Sequence, residues 1–209
     1  NFDGRPVSYK ILNEMNESLF LRGPDDSGIY IKKNFGMAMR RLSIIDLHTG
    51  AQPIFNNDKS LVLVFNGEIY NYKEIKKKLE SKGIQFNTNS DSEVIIHLYQ
   101  KYGENLVEYL NGMFAFCIFD LKNKKIFISR DRIGIKPLVY YNDKNIFAFA
   151  SSLNTLKIHP NIQGEISYDN FLSFFSSSYI ATPISIYNNF HKLKPGHSLI
   201  IQNNKVIEK

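Results

Sequence analysis

A short apolar run at residues 61–65, Leu-Val-Leu-Val-Phe, leads directly into the polar hexapeptide Asn-Gly-Glu-Ile-Tyr-Asn at residues 66–71. An uninterrupted apolar run of this length is typical of a strand that is buried on both faces. If the strand ends at Asn66, it places an amide side chain, a backbone N–H and a carboxylate at one rim. Those groups suit a site that holds an oxyanion beside an amine. Asn-Gly is also the commonest hairpin signal, so a plain turn without a ligand stays open.

Apolar residues recur at helical spacing in several other segments. They predict helices over residues 9–20, 71–82, 91–102, 153–158 and 168–176. Asn71 followed by Glu74 is typical of a capping box at the start of the second helix. Asp91 stands where the N-cap of the third helix belongs.

Strand signals fill most of the remaining sequence. The predicted strands are residues 28–32, 37–41, 61–65, 113–120, 125–129, 138–141, 146–150 and 197–202. Asn123-Lys124 is predicted to form the hairpin turn between two of them. Strands joined by hairpins, with helices grouped at intervals, indicate an α+β fold with antiparallel sheets.

Six further motifs accompany the hexapeptide in a fixed order. They are Arg-Gly-Pro-Asp-Asp-Ser-Gly at 22–28, Arg-Leu-Ser-Ile-Ile-Asp at 41–46, Gly-Ala-Gln-Pro at 50–53, Ser-Asp-Ser-Glu at 90–93, Gly-Met-Phe-Ala-Phe at 112–116 and Arg-Asp-Arg-Ile-Gly-Ile-Lys-Pro-Leu at 130–138. With them the chain resembles the glutamine amidotransferase domain of asparagine synthetases, the class II, N-terminal-nucleophile type. The resemblance extends from about residue 22 to residue 196.

The resemblance implies a four-layer αββα sandwich of two antiparallel sheets, the N-terminal-nucleophile hydrolase fold. It implies a glutaminase domain over residues 1–202 that lacks its first few residues. Residues 203–209 would begin the connection to an ATP-dependent synthetase domain. Such an enzyme hydrolyses glutamine to glutamate and uses the ammonia to amidate aspartate. The partners expected are therefore L-glutamine and the synthetase domain of the same polypeptide, while a homodimer stays open.

The same resemblance assigns the glutamine carboxylate to Arg41. A planar guanidinium suits this task because it binds a carboxylate through two parallel hydrogen bonds. The residues that follow Arg41 would form a loop that wraps the substrate: Leu42, Ser43, Ile44 and Ile45. Without the motif, Arg41 would be interpreted as a surface arginine at the end of a strand.

The resemblance places the ammonium of glutamine against Asp91 and Glu68, and the oxyanion against Asn66 and the Gly67 N–H. Removing one preformed oxyanion donor typically lowers turnover by roughly 100- to 1,000-fold. Alternatives stay open for the carboxylates. Asp91 is also a candidate helix N-cap, and a glutamate after a strand such as Glu68 is usually solvated.

The nucleophile of the family is an N-terminal cysteine, which by motif spacing would lie roughly eight residues before Asn1. Cys117 is the single cysteine of the sequence and lies in an almost wholly apolar run. A buried apolar environment makes a thiol inert, so Cys117 is expected to pack in the core. Residues 1–209 are thus expected to bind glutamine better than they hydrolyse it.

Composition excludes several other classes of function. The 209 residues are enough for one sizeable core. No apolar stretch approaches ~18 residues, so a membrane-spanning helix is not expected. No signal peptide is expected either. A single cysteine fits a cytoplasmic protein. The net charge of +6 comes from scattered lysines without a nucleic-acid module, so nucleic-acid binding is not expected.

No metal or organic cofactor is expected in this domain, while ATP and Mg²⁺ would belong to the synthetase domain. The five histidines, His97 among them, have no metal-ligand spacing and are predicted at the surface or in loops. Leu21, Met39 and Ser152 replace residues common in the family. They leave open a second hypothesis, a catalytically silent scaffold domain of a related amide-forming enzyme.

Overall fold

The computed structural model describes residues 1–42 and 50–209. Its α-helices are α1 (Tyr9–Glu17), α2 (Tyr72–Glu80), α3 (Glu93–Tyr102), α4 (Leu153–Leu156) and α5 (Tyr168–Ser177), and 3₁₀ helices span Phe20–Arg22 and Gly103–Tyr109. Its strands are β1 (Asp26–Lys32), β2 (Phe35–Arg41), β3 (Ile54–Phe55), β4 (Leu61–Ile69), β5 (Gly112–Asp120), β6 (Lys125–Arg130), β7 (Val139–Asn142), β8 (Phe147–Ala150), β9 (Phe190–Lys192), β10 (Ser198–Gln202) and β11 (Lys205–Glu208). Every predicted helix and strand is present, with bounds that differ by a few residues.

The strands form three sheets in which all pairings between named strands are antiparallel. The largest has the order β11-β10-β6-β5-β4-β3, a second pairs β1 with β2, and a third has the order β8-β7-β9. The prediction of two sheets needs one correction, because the two smaller sheets together make up the second β layer. They remain separate because β2 and β8 share no ladder in the described part of the chain.

The layers follow from the alternation of side chains along β4. Leu61, Leu63 and Phe65 lie on the face that packs against α2 and α3. Val62 and Val64 lie on the opposite face, which packs against side chains of β2, β7 and β8. A third apolar cluster packs the β8-β7-β9 sheet against α1 and α4. The order is helix, sheet, sheet, helix, so the predicted αββα sandwich is confirmed.

β4 does not end at Phe65 as predicted but continues through Gly67 to Ile69, paired with β5 along its whole length. The plain Asn-Gly turn is therefore wrong. The strand can continue because Gly67 has no side chain. Its φ is +155°, and an added Cβ would lie 2.1 Å from the carbonyl oxygen of Met113.

Two side chains expected to cap helices make other contacts. Asn71 makes no capping hydrogen bond at α2. Its amide instead donates to the carbonyl oxygen of Tyr109 and accepts from the N–H of Asn111, both over 3.0 Å. The capping box is therefore wrong, because the loop before β5 takes the same side chain. Asp91 precedes Ser92, the N-cap of α3, so its predicted capping role is not observed.

His97 is buried, although its place on the polar face of the helix predicts an exposed side chain. The ring of Phe86 lies edge-on at 4.6 Å from the imidazole, and His97 Nε2 lies 3.3 Å from the Glu93 carboxylate. Helical periodicity identifies one apolar face of α3. It cannot show that the loop before the helix folds back and covers the other face.

The C-terminal residues belong to the large sheet. Residues 203–209, expected to begin a connection, contain β11, which pairs with β10. Lys209 and Ser198 also exchange two backbone hydrogen bonds, of 2.9 and 2.8 Å. Residues 205–208 therefore form an edge strand of this sheet. β11 was not predicted, and neither were β3 and β9, whose two and three residues are too few to show alternation.

Candidate active site

The side-chain amide of Gln52 covers the open side of β4 at Phe65. Gln52 Nε2 donates to the carbonyl oxygen of Phe65 over 2.9 Å, and Gln52 Oε1 accepts from the Phe65 N–H over 2.7 Å. This pair of bonds replaces a neighbouring strand where β3 does not reach. Gly28 allows the approach, because an added Cβ there would lie 1.8 Å from the Gln52 carbonyl oxygen. The motifs at 22–28 and 50–53 therefore meet beside β4.

The carboxylate of Asp91 covers the same side of β4 at Ile69, whose N–H it accepts over 2.8 Å. Backbone groups alternate between the two sides of an antiparallel strand. The Gly67 N–H therefore points to the side that Gln52 and Asp91 cover. Within residues 1–42 and 50–209, β3 pairs with β4 only as far as Leu63, and no side chain accepts from the Gly67 N–H. The Gly67 N–H is therefore available as a donor between Gln52 and Asp91.

Asn66 and Glu68 lie on the face of β4 that carries Val62 and Val64, which faces the second β layer. Both residues line the cavity between the two β layers. Among the described residues, neither side chain makes a hydrogen bond or an ion pair. An amide and a carboxylate are thus available to a ligand on either side of Gly67.

Arg41 ends β2, and the motif at 22–28 fixes its backbone. The N–H of Asp25 donates to the Arg41 carbonyl oxygen over 3.0 Å. Gly23 packs so tightly that an added Cβ would lie 2.5 Å from the Arg41 nitrogen. Arg41 is buried and lines the same cavity as Asn66. The Arg-Gly-Pro-Asp motif therefore contributes to the site by holding this arginine in place.

The predicted substrate loop begins at Leu42, which is 56% exposed and lines the cavity. Ser43, Ile44 and Ile45, which the resemblance assigns to the same loop, lie outside the described residues. An exposed leucine beside a buried arginine gives the site one apolar wall at this end.

One cavity of about 1130 Å³ brings the described candidate residues together. These are Arg41, Leu42, Asn66, Gly67, Glu68 and Asp91. The volume exceeds the upper end of ordinary small-molecule pockets, about 1,000 Å³. The cavity extends between the β layers, where it is lined by residues of β2 and β8 and by Asn1 and Phe2. It thus joins the polar candidate residues to side chains of both β layers.

Electrostatics favour a cation beside Asp91. Burial raises the pKa of this carboxyl, the bond from the Ile69 N–H lowers it, and the charge of nearby Glu68 raises it further. Two carboxylates in a mostly buried setting repel each other, and each gains from a cation placed between them. A ligand ammonium supplies that cation.

Cys117 lies on β5 opposite Val64 and is completely buried. Burial raises the pKa of its thiol far above the usual range. The predicted packing role is confirmed, because a thiol that stays protonated at neutral pH is a poor nucleophile.

Glu93 supports the site, although its role was not predicted. Its carboxylate accepts from the N–H groups of Asn87 and Thr88 over 2.8 and 2.7 Å, and from the Thr88 hydroxyl over 2.6 Å. Burial raises the pKa of Glu93, but the bonds from His97, Asn87 and Thr88 lower it to about 2. Glu93 thereby fixes the loop that leads into Asp91. The Ser-Asp-Ser-Glu motif contained the signal, since it ends in this glutamate.

Within the described residues, 1–42 and 50–209, we find neither a membrane-spanning helix nor a cluster of metal-binding side chains. None of their helices is both long and apolar enough to cross a membrane. No three His, Cys, Asp or Glu side chains in these ranges are grouped as a metal ion would need.

Comparisons with known proteins agree with this geometry. Residues 2–209 match the family described as glutamine amidotransferase domain. The chain is 41% identical over 199 residues to glutamine-hydrolysing asparagine synthetase 2 of Bacillus subtilis (strain 168), covering 93% of this chain and 26% of that protein. It is 40% identical over 223 residues to a putative glutamine-hydrolysing asparagine synthetase 2 of Methanocaldococcus jannaschii, covering 97% of this chain and 43% of that protein.

The chain therefore spans less than half the length of these two curated relatives. Among solved structures, glutamine phosphoribosylpyrophosphate amidotransferase from B. subtilis superposes with a TM-score of 0.73 at 20% identity. That superposition covers 99% of this chain and 47% of the other. It shows a shared fold, the N-terminal-nucleophile hydrolase sandwich.

Proposed function

The chain belongs to the glutamine amidotransferase domain family, and from that premise we propose that its cavity binds L-glutamine for hydrolysis to glutamate and ammonia. One observation carries the proposal. Between Gln52 and Asp91, the edge of β4 presents the Gly67 N–H beside the unbonded amide of Asn66. That is the donor pair needed for an oxyanion at an amide carbon.

Each end of glutamine has a matching group in the cavity. Arg41 binds the α-carboxylate through paired hydrogen bonds. Asp91 and Glu68 bind the α-ammonium, which relieves the repulsion between them. Leu42 and the residues after it, Ser43, Ile44 and Ile45, cover the aliphatic part of the substrate. The side-chain amide then lies at Asn66 and Gly67.

In the reaction that we propose, a cysteine thiolate attacks the amide carbon of glutamine. The tetrahedral oxyanion is held by the Gly67 N–H and the Asn66 amide. As it collapses, the C–N bond breaks, the nitrogen takes a proton from the α-ammonium of the same cysteine, and ammonia leaves. Water then hydrolyses the glutamyl thioester, which releases glutamate and restores the thiol.

We place the nucleophile on the segment before Asn1, because Cys117 is buried and protonated. The cavity supports this assignment. It runs from Asn1 and Phe2, between β2 and β8, which do not pair with each other in the described part of the chain, to Asn66. An extended segment of roughly eight residues spans about 26 Å at ~3.3 Å per residue. Inserted between β2 and β8, it would join the two smaller sheets and bring its first residue to the oxyanion donors.

We further propose that the whole protein uses the ammonia for ATP-dependent amidation of aspartate. The two curated relatives carry that activity in their names, and each is more than twice as long as this chain. The ATP and Mg²⁺ site would lie in a synthetase domain of the same polypeptide. Residues 1–209 alone would bind glutamine without turning it over.

Isothermal titration with L-glutamine tests the binding site directly. The protein expressed from its complete gene should bind glutamine, and Arg41→Ala should weaken binding by at least about tenfold, the usual cost of a lost charge-assisted bond. Arg5→Ala, which removes an exposed arginine outside the cavity lining, should bind normally. Equal affinity in the Arg41 variant would remove that residue from the site. The absence of any glutamine binding would favour the silent scaffold instead.

A further inference from the structure

A small pocket of about 220 Å³ lies between α2 and the end of α3, on the helix side of the large sheet and away from the glutamine cavity. Three lysines converge on it: Lys78 and Lys82 from α2 and the turn after it, and Lys101 from α3. Glu74 is the carboxylate that lines the same pocket. The pocket therefore carries a net positive charge.

The three ammonium groups of the pocket differ from those of four other lysines in the described ranges, which form ion pairs with carboxylates. Lys122 forms an ion pair with Asp58 at 2.6 Å, and Lys125 forms one with Glu104 at 3.1 Å. Within the described ranges, no carboxylate lies within ion-pair distance of Lys78, Lys82 or Lys101.

Lys82 and Lys101 instead approach each other. The side chain of Lys101 comes within hydrogen-bond reach of both Lys82 and the Tyr102 hydroxyl. A lysine near a helix C-terminus interacts favourably with the helix dipole, which explains Lys82 and Lys101 when each is considered alone. The dipole does not explain why two positive charges lie together over one pocket. An anion bound there would stabilise that arrangement.

The base of the pocket is rigid. The rings of Tyr102 and Tyr109 stack with centroids 4.2 Å apart and planes inclined by 22°. The Lys101 Nζ lies 5.2 Å from the centre of the Tyr102 ring, so the lysine stem is held over the aromatic face. Buried Leu79 and Leu98 complete the base.

We propose that this pocket binds the diphosphate group of a small anionic ligand. Lys78 in α2 and Lys82 in the turn after it line the same pocket. Two linked phosphate groups can each meet one of them, with Lys101 closing on the one nearer Lys82. Inorganic diphosphate and the phosphate chain of a nucleotide present the same group.

Lysine footprinting tests the site in the protein expressed from its complete gene. The acetylation rate of each lysine is measured by peptide mass spectrometry with inorganic diphosphate, with ADP, and with sodium chloride at matched ionic strength. Either phosphate ligand should slow acetylation of Lys78, Lys82 and Lys101 by about threefold at twice its Kd. Lys10 and Lys205 are exposed outside the pocket and should not change.

The variant pair Lys82→Gln/Lys101→Gln should abolish the protection of Lys78. Lys10→Gln/Lys205→Gln removes the same charge elsewhere and should retain it, and thermal unfolding checks that both variants fold. If inorganic diphosphate protects the three lysines, the site binds the phosphate chain itself. If ADP protects them and inorganic diphosphate does not, the site binds a nucleotide. Equal slowing of all lysines, no slowing, or protection of Lys78 that survives the pocket variant would overturn the proposal.

Discussion

The Asp91 carboxylate accepts a hydrogen bond from the backbone N–H of Ile69 over 2.8 Å. This bond satisfies the last N–H of β4 on its open side, and it also buries a carboxylate whose pKa burial raises. Asp91 thus completes a strand edge at an electrostatic cost that a substrate ammonium would offset. Stability and binding are therefore opposed at this residue.

Asp91→Asn should stabilise the ligand-free protein and weaken glutamine binding. A raised folded-state pKa means that Asp91 ionisation destabilises the fold as pH rises through that pKa, so a neutral amide removes the cost at pH 7. We expect Tm to rise and glutamine affinity to fall at least about tenfold. Asp169→Asn, at an exposed carboxylate, should change neither. A lower Tm for Asp91→Asn would show that the ionised carboxylate stabilises the fold.

Gln52→Ala should destabilise the fold and slow turnover together. The substitution leaves the N–H and carbonyl groups of Phe65 without their partner, which should lower the free energy of unfolding by about 1–3 kcal/mol. It also removes the side chain that holds the open edge of β4 beside Gly67. Urea unfolding measures the first effect. Gln202→Ala removes an amide that donates to a backbone carbonyl at an exposed site, over 2.8 Å, and should cost far less. Equal losses in the two variants would contradict the role given to Gln52.

Gly67→Ala should be much more damaging than Gly83→Ala. Both glycines have positive φ, +155° and +83°, so both variants incur backbone strain of about 1–2 kcal/mol. Only at Gly67 would the new Cβ lie 2.1 Å from a backbone oxygen, whereas nothing lies within 4 Å at Gly83. The unfolding free energy should therefore fall by several kcal/mol more at Gly67. Similar losses would mean that β4 and β5 separate easily.

Glu93 should give the fold an acid-sensitive component. Its pKa is about 2 in the folded state against 4.5 for a free glutamate. A lowered pKa stabilises the fold above pH 4.5, and this stabilisation is lost as pH falls toward 2. Urea unfolding at pH 6 and pH 3 should show a smaller difference for Glu93→Gln than for the unchanged protein. The same difference in both proteins would contradict this account.

Periodicity predicted the helices and the central strands, because the apolar run of β4 and the alternation of β5 carry enough signal, while the αββα layering followed from the family resemblance. Arg41, Asn66, Gly67, Glu68 and Asp91 line one cavity, and their roles toward glutamine stay predictions. The burial of Cys117 was predicted for the same reason, because its neighbours in β5 are apolar.

The features that were missed depend on contacts distant in sequence. The bonds from Gln52 to Phe65 join residues 13 apart through a side chain that imitates a strand, which no periodicity shows. His97 is buried by the loop before its helix. The sequence also left open a turn at Asn66-Gly67, yet β4 continues through both residues. The backbone of β5 lies so close to Gly67 that only a glycine fits there, and this close approach cannot be predicted from the sequence.

Glutamate formation from L-glutamine, measured on the protein expressed from its complete gene, tests the proposed glutaminase activity. Glutamate and ammonia should form in equal amounts. Asn66→Ala should lower turnover by roughly 100-fold or more, with glutamine affinity nearly unchanged. Asn161→Ala, at an exposed position outside the cavity lining, serves as the control. A folded protein that forms no glutamate, or an Asn66 variant with full turnover, would overturn the proposed function.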